Sequence, residues 1–222
     1  MRGPSSLDSE ENAPSSLDAS GALLDLHLGM QTLPCASPAA FLERASFYPL
    51  LCALVRRQQA LWLTRPGAEV AREAVGETLC AMYTYVLRGG FQAEELTVDL
   101  LLTLLWMVDA WSSQHASKPG ACLATYLALH PEPMPLWLRF RASMPACQMV
   151  VLKRCRWQVN PHDSGLLALS AARLRSCRHY HALSHFVLAE VQRRWLLSQS
   201  AKAALQCSEE ARGSCGECAA VC

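Results

Sequence analysis

Apolar positions recur along this chain three or four residues apart, the helical period, in blocks punctuated by proline and glycine. Residues 147–157, CQMVVLKRCRW, show it most clearly. Val150, Val151, Leu152, Cys155 and Trp157 supply an apolar side, and Lys153, Arg154 and Arg156 occupy the other faces. That pattern predicts a half-buried helix over about 146–158 with Trp157 as a core anchor. The segment VNPHD follows, and Pro161 stops the helix near Val159.

Earlier blocks supply the neighbours that such a helix needs. Ser37 before Pro38 is a helix start, with a hydroxyl for the cap and proline at the first helical position. From there a helix is expected to about residue 63, broken or kinked at Pro49. Its apolar side holds Phe41, Phe47, Leu50, Leu51, Leu54, Leu61 and Leu63, and Arg56 and Arg57 mark its solvated side. The turn TRPG at 64–67 leads to a second helix over 68–87, which Gly89 and Gly90 terminate. A third helix over 93–112 opens with Glu94 and Glu95 at its positive end. Its LLLTLLWMV run is apolar nearly all round, which predicts the buried centre of the domain.

After Lys118-Pro119-Gly120 comes a shorter fourth helix, ACLATYLALH, ended by Pro131. Pro131, Pro133 and Pro135 make a rigid connector before a short helix over 136–142. Beyond the 146–158 helix, GLLALSAARLRS and a longer helix over 179–205 complete the pattern. No alternation of strand type occurs, so the fold class is all-α.

Composition bounds what this helical domain does. A length of 222 residues with 51% hydrophobic and 18% charged side chains is enough for one ordinary domain with tails or for two small ones. The net charge of +1 argues against nucleic acid as a partner, because phosphate-binding surfaces are strongly basic. The run over 100–108 is broken by Thr103 and followed by Asp109, so no transmembrane segment is expected. The opening residues lack a secretory pattern, which points to cytosol or nucleus. There the eleven cysteines are expected as free thiols, with Cys52, Cys80, Cys122, Cys147 and Cys155 acting as small buried hydrophobes. Residues 1–33 are rich in Ser, Pro, Asp, Glu and Gly and repeat PSSLD, which predicts a disordered tail; the repeat reads as a docking or phosphorylation segment or as low-complexity drift.

The order of elements from about 71 to 174 resembles a cyclin box, the five-helix domain of cyclins and related kinase activators. LLLTLLWMVDAWSS is similar to its central helix, GACLATYLALHPEP to the helix and acidic loop that follow, and CQMVVLKRCRW to the closing helix. RWQVNPHDSGLLAL is similar to the exit from the single box of the neuronal kinase activators, cyclin Y and the yeast phosphate-pathway cyclins. The resemblance covers about half the chain and divides it into a tail (1–33), an N-terminal helix (34–66), a single box (67–175), a C-terminal helix (176–206) and a Cys-rich tail (207–222). It implies a regulatory protein that binds and activates a protein kinase of the cyclin-dependent type. The alternative is a helical adaptor or scaffold with no kinase to activate.

The resemblance also places a partner surface at Leu129, His130, Trp137, Phe140, Gln148, Val151 and Leu152. Trp137 and Phe140 are chosen because aromatic anchors dominate interfaces, with core packing as the equal alternative. Cyclins grip the kinase with a lysine and a glutamate; here the matching positions hold His130 (or Leu129) and Gln148, so the charged pair is missing. Those two share a neutral hydrogen bond or are ordinary helix-end residues.

No catalytic motif, cofactor site or metal site is expected. Cys215 and Cys218 have CxxC spacing, but a zinc site needs four ligands and only Cys207 and Cys222 stand near. His181 and His185 share a helix face without a carboxylate partner. Gly89-Gly90 lacks the lysine of a phosphate loop, and Ser164-Gly165 lacks a nucleophile-elbow context.

Overall fold

The structure, a computed structural model, describes residues 35–64, 68–112, 134–162 and 164–216. This part is 85% helical and contains seven α-helices and no strand. They are α1 (Pro38–Ala45), α2 (Tyr48–Thr64), α3 (Ala68–Gly89), α4 (Val98–Ser112), α5 (Met134–Arg154), α6 (Ser164–Arg175) and α7 (Arg178–Gly216), with a short 3-10 turn at Ala93–Glu95. The expected tail at 1–33, the fourth helix at 121–130 and residues Cys122, Cys218 and Cys222 lie outside the described residues.

Local signals act where the sequence places them. The Ser37 hydroxyl accepts the Ala40 N–H at 3.2 Å, with Pro38 in the first turn of α1. The chain breaks at Ser46–Phe47, so Pro49 falls in the first turn of α2, where its missing N–H has no helical partner to lose. At the end of α3, Gly90 takes φ 60°, and the N–H groups of Gly90 and Phe91 close back on the carbonyls of Leu87 and Val86 at 3.3 and 3.1 Å. Only glycine enters this left-handed region without cost.

The centre of the bundle is α3, a correction to the expectation that α4 holds it. Every residue from Thr78 to Leu87 is buried, and α3 packs against α2, α4, α5, α6 and α7. Thr84 ties α3 to α6: its hydroxyl donates to the Cys80 carbonyl at 2.9 Å and lies 2.9 Å from the Ser170 hydroxyl of α6. Gly76 lets α7 approach, since a Cβ there would stand 2.5 Å from the Tyr180 oxygen. Helix α4 is the second buried element, with Leu100 to Asp109 buried except for half-buried Trp106.

Arg56 and Arg57, expected on the solvated side of α2, are buried. The Arg57 Nε donates to Asp109 Oδ1 of α4 at 3.0 Å, and its Nη1 donates to the Thr78 hydroxyl of α3. Gln58, fully buried, donates through Nε2 to the Ala74 carbonyl and the Thr78 oxygen, each at 3.3 Å. This polar knot joins α2, α3 and α4 within the core. Phe47, between α1 and α2, and Leu61 of α2, both expected on the apolar side of a single helix ending near residue 63, are exposed instead.

Helix α7 runs on to Gly216, past the expected boundary at 206 and into the segment read as a tail. Its first part packs on α2 and α3. Trp195 meets Trp62 of α2 with ring centroids 6.3 Å apart. Residues 199–208 are exposed on every side, so the helix leaves the bundle there.

Candidate functional site

Helix α5 is one continuous element rather than the two short helices expected, and it contains Pro145. Proline has no N–H for the Arg141 carbonyl, but Pro145 is exposed, so water can serve that carbonyl. The inner side of α5 is set by Phe140 and Val151, both fully buried, together with Cys155. Met144 and Cys147 are half-buried between them. This side packs on α4 and α3.

The helix ends earlier than Pro161 predicts. N–H groups of Arg156 and Trp157 close back on the carbonyls of Lys153 and Leu152 at 3.1 and 2.8 Å, the same closure that glycine provides at the end of α3. Here Arg156 and Trp157 adopt φ 50° and 62°. Each non-glycine residue in that region costs about 1–2 kcal/mol. The reversal carries Trp157 outward, where it is 62% exposed; its expected role as a core anchor is corrected.

The strained exit is tied down from α3. The Tyr85 hydroxyl donates to the Val159 carbonyl at 2.6 Å, and Arg88 Nη1 donates to the carbonyls of Gln158 and Asn160 at 2.6 and 2.9 Å. Burial pushes the Tyr85 phenol well above its usual range, so it stays a donor. On the other flank, Arg154 forms a two-pronged pair with Glu95 and lies 4.7 Å over the Phe91 ring. That hydrogen bonding holds the Glu95 carboxyl below the ordinary carboxylate range and raises Arg154.

The outer side of α5 is apolar too. Leu138, Ala142, Pro145 and Met149 are exposed and spaced four, three and four residues apart, with half-buried Leu152 three further on. Ala146 and Val150 flank this seam and are exposed. Leu138 is 58% and Met149 42% accessible, high values for large apolar side chains. Arg141 borders the seam on one side and Lys153 on the other, as helical spacing requires.

The seven residues read as a partner surface therefore do not assemble on one described face. Leu129 and His130 lie outside the described residues, as does the Trp137 side chain. Phe140 and Val151 are packed inside, the core alternative in the case of Phe140. Gln148 and Leu152 are half-buried at the margins. Sequence reasoning missed Leu138, Ala142, Pro145 and Met149; their four-three spacing was the available signal, hidden because the segment was read as two helices, over 136–142 and 146–158.

Among the described residues the other candidate groups form no set of ligands. Among the described residues no cluster of three or more His, Cys, Asp or Glu side chains is placed to hold a metal ion. His181 Nε2 lies 3.1 Å from the Arg175 carbonyl, and His179 Nδ1 lies 3.8 Å from the Cys177 sulfur. No helix among the described residues is long and apolar enough to cross a membrane. Compared with protein-family models, curated proteins and solved structures, the chain matches none.

Proposed function

We propose that this chain is a non-enzymatic helical adaptor that docks a protein partner on the outer side of α5. The observation that carries the reading is the exposed seam Leu138, Ala142, Pro145, Met149, lying opposite the buried Phe140 and Val151 on one rigid helix. A continuous apolar stripe facing water is a standing loss unless something covers it in use. The strained exit at Arg156 and Trp157 adds an exposed aromatic at the same end of the helix as Leu152, and backbone strain of this kind concentrates at working surfaces.

A cyclin-dependent-type protein kinase stays a candidate partner through the resemblance to the cyclin box. A kinase-activating contact built on Phe140 and Val151 would require exposing two core residues, so the adaptor is preferred. Buried Cys52, Cys80 and Cys155 are free thiols, which fits work in a reducing cytosol or nucleus.

The test compares partners of the wild-type protein with those of Leu138→Glu/Met149→Glu, after circular dichroism shows both folded. Loss of specific partners from the variant is expected; an unchanged partner set refutes the adaptor reading. Phosphotransfer by any recovered kinase, measured with and without added protein, separates an adaptor from an activator.

A further inference from the structure

From the charge around the α5 seam we infer that its partner is an acidic amphipathic α-helix, an assignment that rests on the adaptor reading and names its ligand class. Residues 134–162 contain Arg139, Arg141, Lys153, Arg154 and Arg156 and no aspartate or glutamate, in a chain whose net charge is only +1. Two of these cations are engaged: Arg139 pairs with Asp99 at 3.5 Å, and Arg154 pairs with Glu95. Arg141, Lys153 and Arg156 are exposed along the borders and end of the seam. The positive potential is thus concentrated beside the apolar stripe.

The shape of the seam selects a helix. Spacings of four, three, four and three residues from 138 to 152 are those with which one helix meets another. Fourteen residues of rise make a contact line about 21 Å long, or four turns. Ala142 and Pro145 are small at its middle, between Leu138 and Met149, so the line is a shallow trough that admits a partner's side chains. A helix lying in a lipid surface presents a broad face of bulky residues, which this narrow stripe lacks.

A second copy of the chain is a poor occupant. Two α5 helices placed face to face would bring Arg141 and Lys153 of one copy against the cations bordering the same seam of the other, with no carboxylate of their own on either helix, and like charges across a contact oppose it. Glutamates flanking a leucine stripe would instead meet Arg141 and Lys153 while the leucines cover Leu138 and Met149.

The experiment uses the full-length protein and two labelled peptides of about 21 residues with leucine at the a and d heptad positions, one with glutamate at e and g and the other with lysine. Fluorescence anisotropy is expected to show binding of the glutamate peptide, weakening as salt rises, and none of the lysine peptide. Met149→Glu and, separately, Arg141→Glu/Lys153→Glu are each expected to weaken binding about tenfold or more, with unchanged circular dichroism. Equal binding of both peptides overturns the inference, as does undiminished affinity in Met149→Glu. Binding of phosphatidylserine vesicles without binding of the glutamate peptide assigns the face to a membrane instead, and self-association abolished by Met149→Glu assigns it to a second copy. If the glutamate peptide fails while Leu138→Glu/Met149→Glu still strips partners, the acidic-helix assignment falls and the adaptor reading stands.

Discussion

Phe140→Ala and Met149→Ala are expected to have opposite consequences although both remove a large apolar side chain from the same helix. Nine residues at about 100° each put these positions on opposite sides of α5. Phe140 is fully buried, while Met149 is 42% exposed. A buried phenylalanine removes roughly 150–250 Å² from water. At about 25 cal/mol per Å², less the share that alanine retains and the compaction of the unfolded chain, its truncation costs about 3–4 kcal/mol. That agrees with the roughly 3–5 kcal/mol typical when phenylalanine leaves a cavity. Met149→Ala should stay within about 0.5 kcal/mol of the parent, as surface changes do. With a urea m-value of about 2 kcal/mol per M, the midpoint falls by roughly 1.5–2 M for Phe140→Ala and by no more than about 0.3 M for Met149→Ala. Equal shifts, or a larger one for Met149→Ala, would show that α5 is rotated about its axis and would remove the basis for the outer seam.

Asp109→Ala should lower stability by about 3–5 kcal/mol because it strands the Arg57 guanidinium inside the bundle, whereas Arg57→Met/Asp109→Leu should recover most of that loss; urea melts of the parent and the two variants decide it, and a double variant no more stable than Asp109→Ala would rule out a coupled pair. Arg156→Gly should raise the melting temperature, worth up to about 1 kcal/mol, by relieving one left-handed residue; a lower melting temperature would mean that the arginine side chain supplies more than the strain costs. Burial pushes the Cys80 and Cys155 thiols up to about 11, so at pH 8 they are protonated and shielded, and mass spectrometry after thiol labelling should find them unmodified in the native state while exposed Cys207 reacts. Burial leads for Cys80 even though Arg175 pulls the other way, so rapid labelling of Cys80 at low denaturant would place it outside the core. The Glu190 carboxyl is lowered to about 2 by hydrogen bonds from Arg193 and Arg194. Since the folded value lies below the unfolded one, its contribution to α7 is full above pH 4.5 and fades as pH falls toward 2; NMR titration of the carboxyl should show that low midpoint.

Much of the helical architecture was legible because helices are specified locally. A hydroxyl at Ser37 beside Pro38, a glycine pair after α3 and the three-to-four period of apolar residues act within a turn or two of where they stand, so sequence alone determined an all-α chain and most of its element borders. The period does not say which side is inside when both sides are apolar. On α5, Leu138, Ala142 and Met149 read as well as Phe140, Met144 and Val151, and only the packing of α4 and α3 against it chose the second set. Charge was equally undetermined: Arg57 looks solvated until α4 brings Asp109, 52 residues away, to 3.0 Å. Trp157 looked like the last core position of a longer helix; the backbone reversal at Arg156, held from α3 by Tyr85 and Arg88, turned it to solvent. Helix existence is a short-range property of the chain. Which residues are inside, and which are left facing water, is set by neighbours that arrive only when the chain folds.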